Sequence, residues 1–194
     1  GDYMLLKVMT WNLGSGMYDN NYYKGIKRDL YTKYNIVNNN IKGQINLIKE
    51  NNCDIFLLQE VAKFYINNSF INQYKILKNN LLDYNCYFSN NKFLLNLVVE
   101  GKATYTKLSS SSEDLYIHYK AYNIKDNISI SNKHQIITRI KIKDKELVIF
   151  NIHLAPCKRL KDLRDKQLKF ILDIANIEIE KGNYVIIGGD FNMN

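Results

Sequence analysis

Proline and glycine are scarce, with one proline, Pro156, and nine glycines among 194 residues. So low a content excludes collagen-like repetition and leaves no flexible Pro/Gly-rich linker to divide the chain. The one polar low-complexity run, Ser109-Ser110-Ser111-Ser112, is too short to separate domains, so a single domain over 1–194 is expected. Cysteine is equally sparse. Cys53, Cys86 and Cys157 are odd in number and far apart, which argues against a disulfide framework or a zinc knuckle and fits a reducing compartment. No apolar run is long enough to span a bilayer, and the amino end lacks a charged-then-apolar leader pattern. A soluble, cytoplasmic product is expected, unless a signal peptide has already been cleaved.

What the chain has in excess is positive charge. It carries 27 Lys and Arg against 19 Asp and Glu, a formal net charge of +8. Such a surface attracts polyanions, either nucleic acid or anionic lipid head groups. With 46% hydrophobic residues there is ample material for a core, so disorder is excluded.

The pattern of apolar residues alternates between the two regular periods. Leu5 to Trp11 is β-rich and breaks at Gly14 and Gly16, which predicts a first strand running into a loop. Ile41, Ile45 and Ile48 recur at helical spacing up to Asn51-Asn52, and 54–59 is a short apolar run typical of a buried strand. A helix is predicted over 69–82 and a strand over 84–88. Strands over 97–107 and 115–122 would flank the serine run, and 135–143 and 146–154 would form a hairpin closed at Asp144-Lys145. A long amphipathic helix starts near Leu160 and ends at Gly182, before a last strand over 184–187. Strands separated by helices, with hairpins between, predict a mixed α/β sheet architecture whose function gathers where strands end in loops.

Four apolar runs end in polar residues: Trp11-Asn12, Leu58-Gln59-Glu60, Ile152-His153 and Gly189-Asp190-Phe191-Asn192. Each has an ordinary local explanation as a cap, a turn or a hydrogen-bonded structural side chain. The set says more. A carboxylate at the exit of a buried strand needs a partner charge or a metal to offset its desolvation, so Glu60 and Asp190 suggest a polar cavity. Hard oxygen donors with an amide nearby suit magnesium, which takes one or two protein carboxylates and keeps several waters. Hydrolysis of a phosphodiester needs these parts: a cation on the phosphate, a base beside the water and a proton donor near the leaving oxygen.

Thr10-Trp11-Asn12-Leu13-Gly14, Leu58-Gln59-Glu60-Val61, Asn151-Ile152-His153-Leu154 and Gly188-Gly189-Asp190-Phe191-Asn192 resemble, in order and spacing, successive motifs of the endonuclease/exonuclease/phosphatase superfamily, the deoxyribonuclease-I-like enzymes. The resemblance extends from Lys7 to Asn192. It implies an α/β (α+β) sandwich of two packed mixed β-sheets flanked by helices. It also implies a phosphodiester hydrolase dependent on Mg2+ or Mn2+, most readily a nuclease acting on DNA or RNA by in-line attack of an activated water. By the same resemblance Glu60 would ligate the metal, with Asn12 beside it helping to hold the metal or the water network around the phosphate. His153 would hydrogen-bond a phosphate oxygen, Asp190 would orient or deprotonate the water, and Asn192 would position it or stabilise the transition state.

The chain departs from the pattern at its carboxyl end. Relatives continue into an Asp-His pair that completes the site, whereas the only other histidines here, His118 and His134, do not follow an Asp. The sandwich is therefore expected to lack its C-terminal portion, with a missing segment or a partner chain completing the site. Gly101-Lys102-Ala103 resembles the start of a middle strand in relatives, with Tyr105, Tyr116 or Tyr119 as candidate phosphate contacts. Arg139, alternating with Thr138 and Ile140, is expected to face away from the site. The basic segment from Lys158 and Arg159 through Lys161, Arg164, Lys166 and Lys169 would either rim the site or form a solvated helix face. Two other functions compete: a lipid head-group phosphatase or phosphodiesterase of the same superfamily, and a catalytically inactive scaffold that binds a polyanion or a protein.

Overall fold

The computed structural model describes residues 5–17, 32–93, 98–117, 134–156 and 160–193. Residues 118–122 of one expected strand, Tyr119, and Lys158 and Arg159 of the basic segment lie outside these. Every strand among the described residues finds a partner in one of two four-stranded sheets. In the first, β1 (Val8–Asn12), β2 (Ile55–Tyr65), β4 (Val98–Thr106) and β3 (Asn85–Phe93) lie in that order; in the second, β5 (Ser110–Tyr116), β6 (His134–Ile142), β7 (Lys145–His153) and β8 (Tyr184–Asp190) do. Both sheets are mixed. β1 and β2 are parallel across helix α1 (Tyr34–Asn51), and β7 and β8 are parallel across helix α3 (Lys161–Glu180).

Three apolar layers hold the sandwich together. Val37, Ile41, Ile45 and Ile48 of α1 and Leu77 of α2 (Gln73–Asn80) bury against Phe56, Leu58 and Tyr105 on the outer face of the first sheet. Ile171 and Ala175 of α3 bury against Val148, Phe150 and Ile152 on the outer face of the second. Between the sheets Ile55 and Leu57 meet Ile140, Leu147 and Ile149. That inner layer changes character along its length. On β2 the inward row runs Ile55, Leu57, Gln59, and on β7 it runs Leu147, Ile149, Asn151, His153, so one end of the sandwich is apolar and the other polar.

Several elements differ from the sequence expectation for identifiable reasons. Helix α1 starts seven residues before Ile41, because Val37 extends the buried stripe by one turn through an Asn-rich stretch. Helix α2 begins only at Gln73, since Ser69 and Phe70 take positive φ of 60° and 58°, which ends any helix there; Asn72 then caps it by accepting from Lys75 N. Ser110, Ser111 and Ser112 of the serine run do not sit between strands but begin β5, an edge strand on which polar residues are tolerated. The hairpin turns at Lys143-Asp144, one residue earlier than expected, with Lys143 at φ 57°.

Arg139 faces away from the site, as its alternation predicts, and anchors β6 to α3. Its guanidinium donates to Glu178 at 3.1 and 3.2 Å and to Glu146 at 3.0 Å. Those bonds from Arg139 hold the nearly buried Glu178 carboxyl at about 2, against the opposing effect of burial. A carboxyl depressed in the fold contributes stability that is complete above its unfolded value near 4.5 and disappears as pH falls toward 2. Denaturant melts are expected to lose roughly 2 kcal/mol across that window, allowing for partial screening at Arg139. In Glu178→Gln this part of the pH slope should vanish; an unchanged slope would assign the acid sensitivity elsewhere.

Candidate functional site

The polar end of the sandwich is where both parallel pairs finish. Asn12 stands opposite Gln59 at the end of the β1–β2 register, and His153 stands opposite Asp190 at the end of the β7–β8 register. Carboxyl ends of parallel strands present loops and unpaired backbone on one side, which is why sites collect there. The five residues singled out in the sequence come together at this end.

Glu60 does not terminate its strand, as the sequence suggested. β2 continues to Tyr65, and Glu60 sits in a bulge within it. Leu58 pairs with Ala103 and Val61 with Gly101, so Gln59 and Glu60 together oppose the single residue Lys102. Glu60 takes φ 48°, a conformation that costs a branched or bulky side chain about 1 kcal/mol or more. The extra residue turns the Glu60 carboxylate toward Asn12 instead of along the regular alternation.

Asn12 joins the two sheets. Its Nδ2 donates to Glu60 Oε1 at 3.1 Å and to Asp190 Oδ2 at 2.9 Å, while its Oδ1 accepts from Gly14 N at 3.0 Å. Thus Asn12 presents its amide nitrogen, not its oxygen, to the carboxylates. His153 Nε2 lies 3.8 Å from Glu60 Oε1 and 3.7 Å from Asp190 Oδ2, too far for direct hydrogen bonds. Burial, reinforced by the charge of Lys102 and opposed by Asp190, holds the His153 imidazole at about 4, so it is neutral at physiological pH. Two carboxylates facing Nε2 favour the tautomer that carries its proton there.

Asp190 is held from behind. Its Oδ1 accepts from Asn192 N at 3.0 Å, its carbonyl accepts from Leu154 N at 2.9 Å, and Asn192 Nδ2 donates to Leu154 O at 2.9 Å. The Asn192 side chain therefore ties the two strand ends together. His153 is fixed by Gln135, whose Oε1 accepts from His153 N at 2.8 Å.

Three groups that the sequence did not single out form the floor. Gln59 Nε2 donates to Asn151 Oδ1 at 2.8 Å across the sandwich, and Asn151 Nδ2 donates to Ala103 O at 3.0 Å. Lys102 is wholly buried on the same inward face. The signal for all three was an amide or an amine inside an otherwise apolar or β-branched strand. Tyr105, by contrast, packs in the core between the first sheet and its helices, away from the inward face. Among the basic residues of α3, Lys161 and Lys169 pair with Asp165 and Asp173 on an exposed surface, and Arg164 is buried, donating to Ala155 O.

The donor chemistry fits a hard divalent cation. Glu60 and Asp190 place two carboxylates, 17% and 29% exposed, on either side of one amide, and a magnesium ion needs no more protein ligands than that when water fills the rest of its shell. No group of three or more His, Cys, Asp or Glu arranged to hold a metal by themselves occurs among the described residues. Among the described residues no helix is long and apolar enough to cross a membrane.

No protein-family model and no curated sequence matches the chain. Solved structures do. TDP2 from D. rerio, complexed with a single-strand DNA product, superposes with a TM-score of 0.65 at 18% identity, over 97% of this chain and 61% of that one. ANGEL2, a 2',3'-cyclic phosphatase, superposes with a TM-score of 0.66 at 20% identity, over 96% of this chain and 52% of that one. A protein of the endonuclease/exonuclease/phosphatase family from Leptotrichia buccalis does so with a TM-score of 0.62 at 18% identity, over 98% of this chain and 67% of that one. This chain spans between 47% and 67% of the length of such neighbours.

Proposed function

From the premise that the chain has the deoxyribonuclease-I-like fold of the endonuclease/exonuclease/phosphatase superfamily, we propose that it is a divalent-metal-dependent phosphodiester hydrolase acting on nucleic acid. The observation that carries this is the convergence, from both sheets, of Glu60, Asp190 and His153 around the Asn12 amide. The basic surface and a neighbour complexed with DNA support the substrate class.

Each side chain has a task that its geometry permits. Glu60, with Asp190 beside it, would hold Mg2+ or Mn2+, which neutralises charge on the scissile phosphate when bound. Asp190 accepts the proton of the attacking water; its Oδ1 is fixed by Asn192 N, and its Oδ2, which accepts from Asn12 Nδ2, faces His153 Nε2. Neutral His153 donates from Nε2 to a phosphate oxygen and adds no repulsive charge to the cation. Asn12 keeps the two carboxylates at a set separation, and Asn192 keeps Asp190 against the end of β7.

Nicking of supercoiled plasmid and phosphate release from phosphoinositides, each with magnesium and with chelator, test the proposal on the complete protein. Magnesium-dependent nicking abolished by chelator is the expected result. Turnover of the lipid panel alone would make the enzyme a head-group phosphatase, and turnover of neither would favour a polyanion-binding scaffold.

A further inference from the structure

Asn12 leads into a turn in which three successive residues have positive φ: Gly14 at 54°, Ser15 at 54° and Gly16 at 77°. Glycine adopts such values freely, but at Ser15 a Cβ crowds the backbone. Ser15 is also wholly buried. The turn is already held from behind by three amides: Leu13 O accepts from Gln44 Nε2 at 2.9 Å, Gly16 O from Asn40 Nδ2 at 3.0 Å and Ser15 O from Asn68 Nδ2 at 3.0 Å. A third glycine would satisfy this backbone with less strain, so the reason for a serine lies in what its hydroxyl meets.

The hydroxyl faces the bulge of β2. The extra residue of a bulge drops out of the regular ladder, and its backbone needs partners from elsewhere. Here the chain after Asn12 supplies them: Gln59 O accepts from Leu13 N at 2.9 Å, and Glu60 O accepts from Ser15 Oγ at 3.4 Å. Ser15 Oγ lies closer still to Glu100 Oε2 on β4, at 2.9 Å, so its one proton is shared between acceptors on the two strands that form the bulge. Glu60 is thus gripped at both ends. Its carbonyl meets Ser15, while its Oε1 accepts from Asn12 Nδ2 at 3.1 Å and Asn12 Oδ1 is fixed by Gly14 N at 3.0 Å.

We infer that Ser15 is a positioning residue for Glu60, its hydroxyl pinning the bulge against β4 and so setting the direction in which the Glu60 carboxylate leaves the strand. The inference rests on the metal-dependent reading of the site and deepens it by assigning the support behind the proposed metal ligand. A carboxylate binds a cation well when it need not be reoriented on binding, so groups that hold a ligand contribute to affinity without touching the ion. Removal of the hydroxyl takes one restraint from the strained φ of 48° at Glu60. The carboxylate would then sample directions away from Asn12.

The test is Mn2+ binding to the complete protein, followed by calorimetry and electron paramagnetic resonance, for wild type, Ser15→Gly and Ser15→Ala, with melts of the metal-free proteins alongside. Ser15→Gly removes the hydroxyl but also the strain, so its melting temperature should stay within a few degrees of wild type. Its Mn2+ affinity should fall roughly tenfold or more, the usual loss when support behind a metal ligand is removed. The magnesium needed for half-maximal phosphodiester hydrolysis should rise by a similar factor, with kcat recovered at saturating magnesium. Ser15→Ala, which keeps the strain, should match Ser15→Gly in affinity and melt at a lower temperature. A hydroxyl that merely braces the turn would lower the melting temperature and leave the affinity of the folded variants within about threefold of wild type, which would overturn the inference. If neither variant folds, even with Mn2+ present, the hydroxyl serves the fold itself and the inference falls. Wild type that binds no Mn2+ would sink the metal-dependent reading and this inference with it, whereas wild-type binding shared by both variants sinks the inference alone.

Discussion

Asp190→Asn is expected to lower kcat for phosphodiester hydrolysis by about 10²–10⁴-fold with little change in melting temperature. The substitution preserves volume and keeps an oxygen that can accept from Asn192 N, now 3.0 Å from Oδ1. What it removes is the proton acceptor. It also places an amide nitrogen where Asn12 Nδ2 now donates to Oδ2 at 2.9 Å, so two donors face each other and Asn12 cannot turn round without releasing Gly14 N. The loss should therefore fall mainly on kcat, with a smaller rise in KM. Single-turnover rates and KM measured with saturating magnesium separate the two. A folded Asp190→Asn enzyme with a rate within about threefold of wild type would mean that another group takes the proton, since general bases contribute far more than that.

The four motif ends could be read in the sequence because each lies at the tip of a short apolar run, and a polar residue at the tip of a buried strand is conspicuous. Glu60, however, reaches Asn12 for a reason its local sequence does not carry. The apolar run stops at Leu58, yet β2 goes on to Tyr65, and the bulge that swings Glu60 inward is defined by pairing with Lys102, 42 positions later. A feature made by two strands so far apart leaves no mark on either one alone. Lys102 was equally hidden. Inside Gly101-Lys102-Ala103 a lysine suggests an exposed face, and only the sandwich shows that its row, continued by Thr104 and Thr106, points between the sheets. The serine run misled in the opposite direction, because edge position, which a sequence does not state, decides whether a polar segment can be a strand. Helical stripes were the most legible parts, since their spacing is set within one element by burial on one side.

Two glycines with opposite surroundings show how tightly the strand end beneath Asp190 is built, and the second prediction concerns them. Gly189→Ala is expected to destabilise the fold by roughly 3–5 kcal/mol, on the scale of severe core substitutions. Gly189 has φ +143°, where an L side chain is strained, and a Cβ there would lie 1.9 Å from Ile152 O and 2.8 Å from Ile152 C and N. Those are backbone atoms of the register partner, so no rotamer change relieves the overlap; β7 and β8 must separate. Separation would also pull Asp190 away from Leu154, because Leu154 N donates to Asp190 O one residue further on. Gly43→Ala should do the reverse. Gly43 lies inside α1 with nothing within 4 Å of its added Cβ, and replacing glycine within a helix by alanine gains about 0.5–1 kcal/mol. Denaturant melts of both variants, with plasmid nicking alongside, check the pair: Gly43→Ala should be slightly more stable and fully active, whereas Gly189→Ala should lose stability and activity together. A Gly189→Ala protein as stable as wild type would show that the β7–β8 junction yields, and that Asp190 does not depend on a rigid strand end for its position.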